Sequence, residues 1–173
     1  VGYPKGAIWE YLMTLANSNY EDWRLANPNE DIDNFKFSFS KMSKAGALFD
    51  MVKLADVSKN YICRLSAEEV YEMVTDWAKE NNKKLYKLLV DDEEYAKAIF
   101  AIERGNAKPR KDISAWTDVE NYVSYFYSEL WDRKFDFPDN LSNDDMIEIL
   151  ELYKQIYDEN VSSDDWFPQV RDM

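Results

Sequence analysis

The chain has 173 residues, 46% of them apolar and 16% aromatic, which excludes a wholly disordered polypeptide because enough apolar surface is available for a core. It carries 21 basic and 34 acidic side chains, a formal net charge of −13 and no histidine. The missing histidine excludes Ser-His and Cys-His nucleophile pairs and His-containing metal sites, and the single Cys63 excludes a disulfide framework.

Neither a membrane span nor a secretory signal is visible in the sequence. No apolar run approaches the roughly 18 residues that a membrane-spanning helix needs, and residues 1–5 lack the pattern of a signal peptide. A single cysteine is typical of a reducing compartment, so we expect a cytoplasmic protein without a membrane partner. The chain does not begin with Met. Removal of an initiator Met before a small residue and excision from a longer protein both explain this.

Apolar residues recur at three- and four-residue steps almost throughout the chain, which predicts an all-α fold. The first helix is predicted to follow Pro4 and to bury the face that carries Ile8, Leu12 and Leu15. Only residues 35–40 alternate with a period of two, which indicates an extended segment or a short hairpin arm.

Helix starts and ends are marked further along the chain. Ser66 with Glu69 and Thr117 with Glu120 have the spacing of capping boxes, and each predicts the start of a helix. Gly105 predicts the end of the helix between them. A late amphipathic helix is predicted after Ser142. The apolar stripes of these four helices are Val70, Met73, Val74 and Trp77; Tyr95, Ala98, Ile99 and Ile102; Tyr122, Val123, Phe126 and Leu130; and Met146, Ile149, Leu150, Tyr153 and Ile156.

The net charge is unevenly distributed. Residues 36–111 carry 15 basic and 12 acidic side chains, whereas residues 112–173 carry 4 basic and 16 acidic ones. The basic residues concentrate between Lys36 and Arg64 and in the loop at 104–111, which has four cations and no acidic residue. Because salt limits the range of exposed charges to about 8–10 Å, such local clusters can bind a polyanion despite the net charge.

Several patterns have a simple structural interpretation beside a functional one. The acidic pairs at 91–92, 93–94, 144–145 and 164–165 stand where helices are expected to begin, so we interpret them as solvated helix starts and not as metal ligands or a general acid and base. Cys63 is interpreted as a buried small apolar residue.

Trp116 lies near the cationic loop, and stacking on a nucleic-acid base is one hypothesis for it beside burial. The loop itself is either a phosphate-binding or base-binding element or a merely solvated connection.

Several stretches together resemble bacterial glutamyl-tRNA synthetase, in the region that follows its catalytic domain. Gly-Tyr-Pro-Lys-Gly-Ala at residues 2–7, followed by Trp-Glu-Tyr-Leu, is similar to a helix start of that family. Ser-Lys-Ala-Gly-Ala-Leu-Phe-Asp at 43–50 resembles the family's Ser-Lys-Ser-Gly-Ala-Val-Phe-Asp element. Residues 60–64 resemble a helix that ends in Tyr-Ile-Arg, here with Cys63 inserted before the Arg. The Lys-Pro-Arg loop at 108–110 and the aromatic run at 122–126 follow in the family's order.

The resemblance implies a helical bundle that contacts the tRNA stem (1–81), followed by the first part of a helical anticodon-binding domain (82–173). It implies that the full-length protein attaches glutamate to tRNA with ATP and Mg²⁺ and acts as a monomer. This chain would bind tRNA and pack against its own catalytic domain, with no catalytic residue, metal or cofactor of its own. Arg110 would contact an anticodon base, with phosphate partners beside it. The full set of tRNA-binding residues implied is Lys41, Ser43, Lys44, Arg64, Arg104, Lys108, Arg110 and Lys111.

Residues 41–44 (Lys-Met-Ser-Lys) are also similar to the loop by which one class of synthetases grips ATP phosphates. The fifth position is Ala45, where that loop has Ser, and the family's own loop lies immediately before the segment that Val1 begins. We therefore assign residues 41–44 to tRNA contact, and we expect the chain to be an excised part that is inactive alone. The alternative function is an acidic all-α module that binds a basic protein through residues 112–173, with no RNA partner. A stand-alone metal-dependent or hydrolytic enzyme is poorly supported.

Overall fold

The computed structural model describes residues 2–42, 48–131 and 140–171. Within these ranges the chain forms nine α-helices, three short 3-10 helices and no β-strand, so the all-α prediction is confirmed. The α-helices are α1 (Lys5–Ala16), α2 (Tyr20–Ala26), α3 (Met51–Ile62), α4 (Ala67–Asn81), α5 (Lys83–Asp91), α6 (Glu93–Ala101), α7 (Val119–Val123), α8 (Asn143–Ile156) and α9 (Ser163–Arg171). The 3-10 helices are Ile32–Asn34, Phe39–Lys41 and Trp116–Asp118.

The helices belong to two compact units, which we call the large unit (Val1–Trp131) and the small unit (Asp132–Met173). The predicted boundary at 81–82 falls inside the large unit, between α4 and α5, which pack against each other. As a division between stem-contacting and anticodon-contacting parts, that boundary stays a prediction.

The main core of the large unit lies among α4, α5, α6 and the segment 113–127. Helix α4 begins with the predicted capping box, because Ser66 Oγ accepts from the Glu69 amide at 3.1 Å and a Glu69 carboxylate oxygen accepts from the Ser66 amide at 2.7 Å. Val70 and Val74 of its predicted stripe are fully buried. The predicted helix and its core face are therefore confirmed.

Helix α1 packs against α3 with a different face from the one predicted. Ala7 and Tyr11 are fully buried, whereas Ile8 is 39% and Leu12 44% exposed. The Tyr11 hydroxyl also accepts a hydrogen bond from the Asp50 amide at 2.6 Å, which joins α1 to the start of α3. The face predicted from apolar spacing was wrong because the position of α3 selects which side of α1 is covered.

Residues 101–131 are less helical than the sequence predicts. Helix α6 ends at Ala101, and the chain then turns through the left-handed region at Glu103 (φ 53°) and Gly105 (φ 76°), so Gly105 does not directly cap the helix. The predicted capping box at Thr117 is absent because the Asp118 carboxylate instead accepts hydrogen bonds from Ser114 and Ala115. The helix that follows, α7, therefore spans only Val119–Val123.

Residues 35–40 contain extended backbone at Phe35 and Ser38, in agreement with the extended-segment alternative, but they form no β-strand and no hairpin arm. Phe35 is buried and its ring packs edge-on against Tyr20 at a centroid distance of 5.0 Å. The chain then enters the 3-10 helix Phe39–Lys41. The alternation in the sequence therefore reflects the burial of Phe35 and not the pairing of β-strands.

The small unit contains α8 and α9. Helix α8 begins after Ser142, whose hydroxyl accepts from the Asp145 amide at 3.1 Å, and the predicted late helix is confirmed. No residue of α8 is buried. Its apolar side chains are therefore at least partly exposed.

Candidate nucleic-acid interface

Lys41 ends the 3-10 helix Phe39–Lys41 and has an exposed side chain. Its carbonyl accepts a hydrogen bond from the Ser18 amide at 3.2 Å, so this short helix is held beside the end of α1. Ser43 and Lys44, the other predicted residues of this cluster, lie outside the described residues. An open groove of about 450 Å³ runs beside Lys41, and three hydroxyl side chains contribute to its lining: Thr14, Ser18 and Ser40. An ammonium group with neighbouring hydroxyls is a combination that proteins use for backbone phosphates.

The segment 102–112, which contains the cationic loop at 104–111, presents Lys108, Arg110 and Lys111 to solvent. Its first turn is built by the two positive-φ residues, and the Lys108 amide donates to Asn106 Oδ1 at 3.0 Å. The loop therefore has a defined backbone that carries three exposed cations on one connection.

Arg104 belongs to the same loop in sequence but has a different environment. Its guanidinium is half-buried and donates to the carbonyls of Phe100, Ile62 and Leu65 at 2.7–3.0 Å. Burial lowers the pKa of this guanidinium from its usual value. Arg104 thus ties the loop to the end of α3, and a contact of this side chain with tRNA stays a prediction.

Arg64 follows α3 and pairs with a buried carboxylate. Its Nη2 lies 2.6 Å from Glu10 Oε1, and Nη2 of Arg24 lies 3.1 Å from the same oxygen. The Arg64, Arg24 and Glu10 side chains are only 19%, 11% and 7% exposed. These three residues, the Glu10 cluster, connect α1 and α2 to the end of α3. Arg64 therefore stabilises the contact between these helices. Its contact with a tRNA phosphate stays a prediction.

The tertiary structure brings Arg64 and Lys111 to one cavity. This cavity has a volume of about 290 Å³, and Pro109 of the cationic loop lines it together with both cations. The two residues are 47 positions apart in sequence, and nothing in the local pattern predicts that they meet. The cationic loop thus reaches the side of the large unit that carries the Glu10 cluster.

Arg110 lines a second groove, of about 650 Å³, beside α7. Its Nε donates to Asp112 Oδ2 at 2.5 Å and lies 3.7 Å from Glu103 Oε2. The hydrogen bond to Asp112 raises the pKa of this guanidinium, which stays charged. The groove wall also includes the aromatic residues Tyr122, Tyr125 and Phe126. The charged guanidinium of Arg110 therefore shares this groove with three aromatic side chains.

The hypothesis that Trp116 stacks on a base is wrong in this structure. Trp116 is 4% exposed and its amide donates to the Gly2 carbonyl at 2.7 Å. Among the aromatic residues that line the groove beside α7, Tyr125 is the most exposed, at 77%. Trp116 was the candidate for base stacking because it is close to the cationic loop in sequence. Tyr125 is the better candidate because it lines the groove beside Arg110.

The acidic pairs behave as helix starts where the structure describes them. Asp92 caps α6 by accepting from the Tyr95 amide at 3.0 Å, and Asp145 lies in the first turn of α8. Hydrogen bonds from Ser142 lower the pKa of the Asp145 carboxyl. Across residues 2–42, 48–131 and 140–171 there is no group of three or more Cys, Asp or Glu side chains arranged to hold a metal ion. The helices of these ranges are too short or too polar to cross a membrane.

The known proteins that are compared with this chain below carry the same name. No protein-family model and no solved structure matches the chain. It is 40% identical to the glutamate–tRNA ligase of Clostridium perfringens over 176 residues, which cover 99% of this chain and 32% of that protein. The corresponding enzymes of Acetivibrio thermocellus and Sorangium cellulosum are also 40% identical, over 171 and 173 residues.

The chain thus spans about a third of the length of the curated relatives it matches. The matches run along 99% of this chain at one level of identity, and all three of these relatives carry the same name. The chain belongs to the glutamyl-tRNA synthetase (glutamate–tRNA ligase) family.

Proposed function

We propose that this chain is the tRNA-binding part of a glutamyl-tRNA synthetase, whose complete form joins glutamate to tRNA with ATP and Mg²⁺. The observation that carries the proposal is the 40% identity to glutamate–tRNA ligases along 99% of the chain. The name of those relatives makes tRNA the substrate that the whole enzyme handles, and an all-α part with exposed cations is suited to hold it.

Two exposed groups of cations support tRNA as the partner. Lys41, beside the predicted contacts Ser43 and Lys44, stands at a groove with hydroxyl side chains and is proposed to meet the sugar-phosphate backbone of the stem. Lys108 and Lys111 are proposed to meet phosphates near the anticodon, where Arg110 contacts a base. Unpaired loop bases expose the edges and faces that an arginine can bond.

The catalytic chemistry is proposed to lie in the part of the synthetase outside this chain, where ATP and Mg²⁺ are bound. Exposed apolar side chains support a neighbouring domain as a further partner. Phe39, Leu48 and Val52 are 84%, 90% and 79% exposed, which leaves large apolar side chains in water unless a partner covers them. We propose that the catalytic domain covers these side chains.

The alternative, an acidic protein-interaction module, has less support. Residues 112–173 are strongly acidic, but the family relationship along nearly the whole chain does not favour a partner other than tRNA. The acidic residues at the helix starts have local partners that explain them.

Titration of this chain with glutamate-specific tRNA, followed by fluorescence anisotropy at low salt, tests the proposal. We expect binding that weakens by roughly tenfold or more in the double variant Lys108→Glu, Lys111→Glu, since two phosphate contacts become repulsions. Lys87→Glu is a control for charge, because Lys87 is an exposed lysine of α5 outside both grooves and undergoes the same charge change as each single lysine of the double variant.

Absence of any anisotropy change with tRNA, together with normal glutamylation by a full-length synthetase that carries the double variant, would refute the proposal. A loss in Lys87→Glu of half the double variant's loss, on a logarithmic scale, would also count against it, because that result indicates a dependence on net charge alone.

A further inference from the structure

The groove beside α7 carries two features that the proposed function of Arg110 does not use: an exposed tyrosine and a carboxylate bound to the guanidinium. Resting on the proposed function, we infer that Tyr125 is the stacking platform for an unpaired RNA base in this groove, and that Asp112 is a positioning residue that orients Arg110 toward the edge of that base.

The backbone around Tyr125 is held firmly while its ring is left in solvent. Its neighbour Phe126 donates its amide to the Val123 carbonyl at 3.0 Å and accepts a hydrogen bond from the Tyr95 hydroxyl, also at 3.0 Å. Val123 is fully buried and Tyr127 is 8% exposed, whereas Tyr125 is 77% exposed. Because the backbone is already held, only the side-chain torsions of Tyr125 need to be ordered when a base stacks on its ring.

The floor of the groove is rigid for a related reason. The Tyr122 ring stacks on Phe100, with centroids 6.5 Å apart and an angle of 6° between the planes, and Phe100 is fully buried. The groove is therefore anchored in the core of the large unit. Its volume of about 650 Å³ lies within the usual size of a pocket for a small organic group.

Asp112 determines how Arg110 is presented. Its Oδ2 accepts from Arg110 Nε at 2.5 Å, which engages one side of the guanidinium. Among the residues that the structure describes, nothing accepts a hydrogen bond from either terminal nitrogen of Arg110. These two nitrogens form the fork that bonds two acceptors in one plane, as on the edge of a base.

The charge of the groove favours a base over a phosphate. The carboxylates of Asp112 and Asp118 both line it, the first paired with Arg110 and the second hydrogen-bonded to Ser114 and Ala115. A phosphate here would be repelled by both carboxylates, whereas a neutral ring with hydrogen-bonding edges would not. The phosphates on either side of the base are left to the exposed lysines of the cationic loop.

The experiment uses this chain and a fluorescein-labelled anticodon stem-loop RNA of glutamate-specific tRNA, with anisotropy as the readout. Tyr125→Ala should weaken binding by roughly tenfold to a hundredfold, because one base loses its stacking partner. Tyr125→Phe keeps the ring and should bind within about twofold of the original chain. Phe39→Ala is the matched control, since that ring is 84% exposed and lies outside the groove, and it should bind this RNA normally.

A substitution of Asp112 separates a positioning role from simple charge repulsion, because the two explanations predict opposite changes in RNA affinity. Asp112→Ala removes a negative charge, so it should strengthen RNA binding if Asp112 merely repels the phosphates. A positioning role requires weaker binding, recovery by Asp112→Glu, and no further loss when Asp112→Ala is added to Arg110→Ala.

Unchanged binding in Tyr125→Ala, or stronger binding in Asp112→Ala, overturns this inference. If Lys108→Glu with Lys111→Glu still lowers the affinity in that case, the proposed tRNA-binding function stands without it. If the chain binds neither the stem-loop nor the complete tRNA, the inference fails; the proposed function fails with it when the double variant also leaves glutamylation by the full-length synthetase normal.

Discussion

Arg64, Arg104 and Arg110 show at the scale of single residues that equal charge does not mean equal availability. All three were predicted to contact tRNA, but Arg64 is paired with the buried Glu10 and Arg104 donates to three carbonyls. Arg110 is bonded only on its Nε side among the described residues. Because burial and hydrogen-bond partners come from other elements, the sequence alone did not separate these roles.

The Glu10 cluster gives a prediction about stability. Glu10→Ala leaves two guanidinium groups without their shared carboxylate, and uncompensated buried charges are costly. We expect a loss of about 3 kcal/mol in the free energy of unfolding, measured by urea denaturation with circular dichroism. Glu21→Ala is the control, because its pair with Lys53 is partly exposed and contributes at most about 1 kcal/mol. Equal small losses in both variants would contradict a structural role of the cluster.

Asp118 gives a prediction about pH. Burial acts to raise the pKa of its carboxyl, but hydrogen bonds from Ser114 and Ala115 outweigh burial and lower the pKa below its ordinary value of 3.8. A lowered pKa in the folded state means that the stabilisation is present above the ordinary value and is lost as pH falls through the folded-state pKa. The stability difference between the original chain and Asp118→Asn should therefore be larger at pH 5 than at pH 2.5. A difference independent of pH would show that the charge of Asp118 contributes nothing.

At the scale of elements, α1 illustrates the limit of periodicity. Its apolar residues occur on more than one face, and the face that α3 covers includes Ala7, Glu10 and Tyr11. Small Gly6 allows the close approach, since a Cβ atom built there would lie 2.3 Å from the Tyr61 hydroxyl oxygen. The contact between α1 and α3 is thus decided by shape as well as by hydropathy.

We therefore predict that Gly6→Ala destabilises the chain despite alanine's higher helix propensity. The intrinsic gain of about 1 kcal/mol is opposed by displacement of the Tyr61 ring, and overpacking typically costs about 1–3 kcal/mol. We expect a net loss of about 1 kcal/mol in urea denaturation. Lys5→Ala, at the exposed neighbouring position, should change the stability by less than about 0.5 kcal/mol. A stabilised Gly6→Ala variant would show that Tyr61 moves aside freely.

At the scale of the whole molecule, the division into two units predicts independent folding of the larger one. The main core cluster lies entirely within residues 1–131. A polypeptide of residues 1–131 should therefore unfold cooperatively, with the same thermal midpoint as the corresponding transition of the whole chain. A markedly lower midpoint, measured by circular dichroism, would mean that residues 132–173 contribute to that core.

Salt dependence should separate phosphate contacts from base contacts across the molecule. If three lysines (Lys41, Lys108 and Lys111) meet phosphates, the logarithm of the tRNA affinity should fall with the logarithm of salt concentration with a slope of about −2 to −3. Lys108→Ala should reduce the magnitude of the slope by about 1, whereas Arg110→Ala should lower the affinity and leave the slope nearly unchanged. Identical slopes in all three proteins would contradict this assignment of contacts.

The sequence by itself determined the all-α class and the helix starts at Ser66 and Ser142, because capping and apolar spacing act over a few residues. Its similarity to known synthetases determined the family relationship. Only the tertiary structure decided which face of α1 is buried, that α7 is short, and that Arg64 meets Lys111 at one cavity. It likewise decided that Tyr125 and not Trp116 is exposed beside Arg110. These features depend on contacts between segments far apart in sequence, and no local pattern specifies which distant side chain occupies a given space.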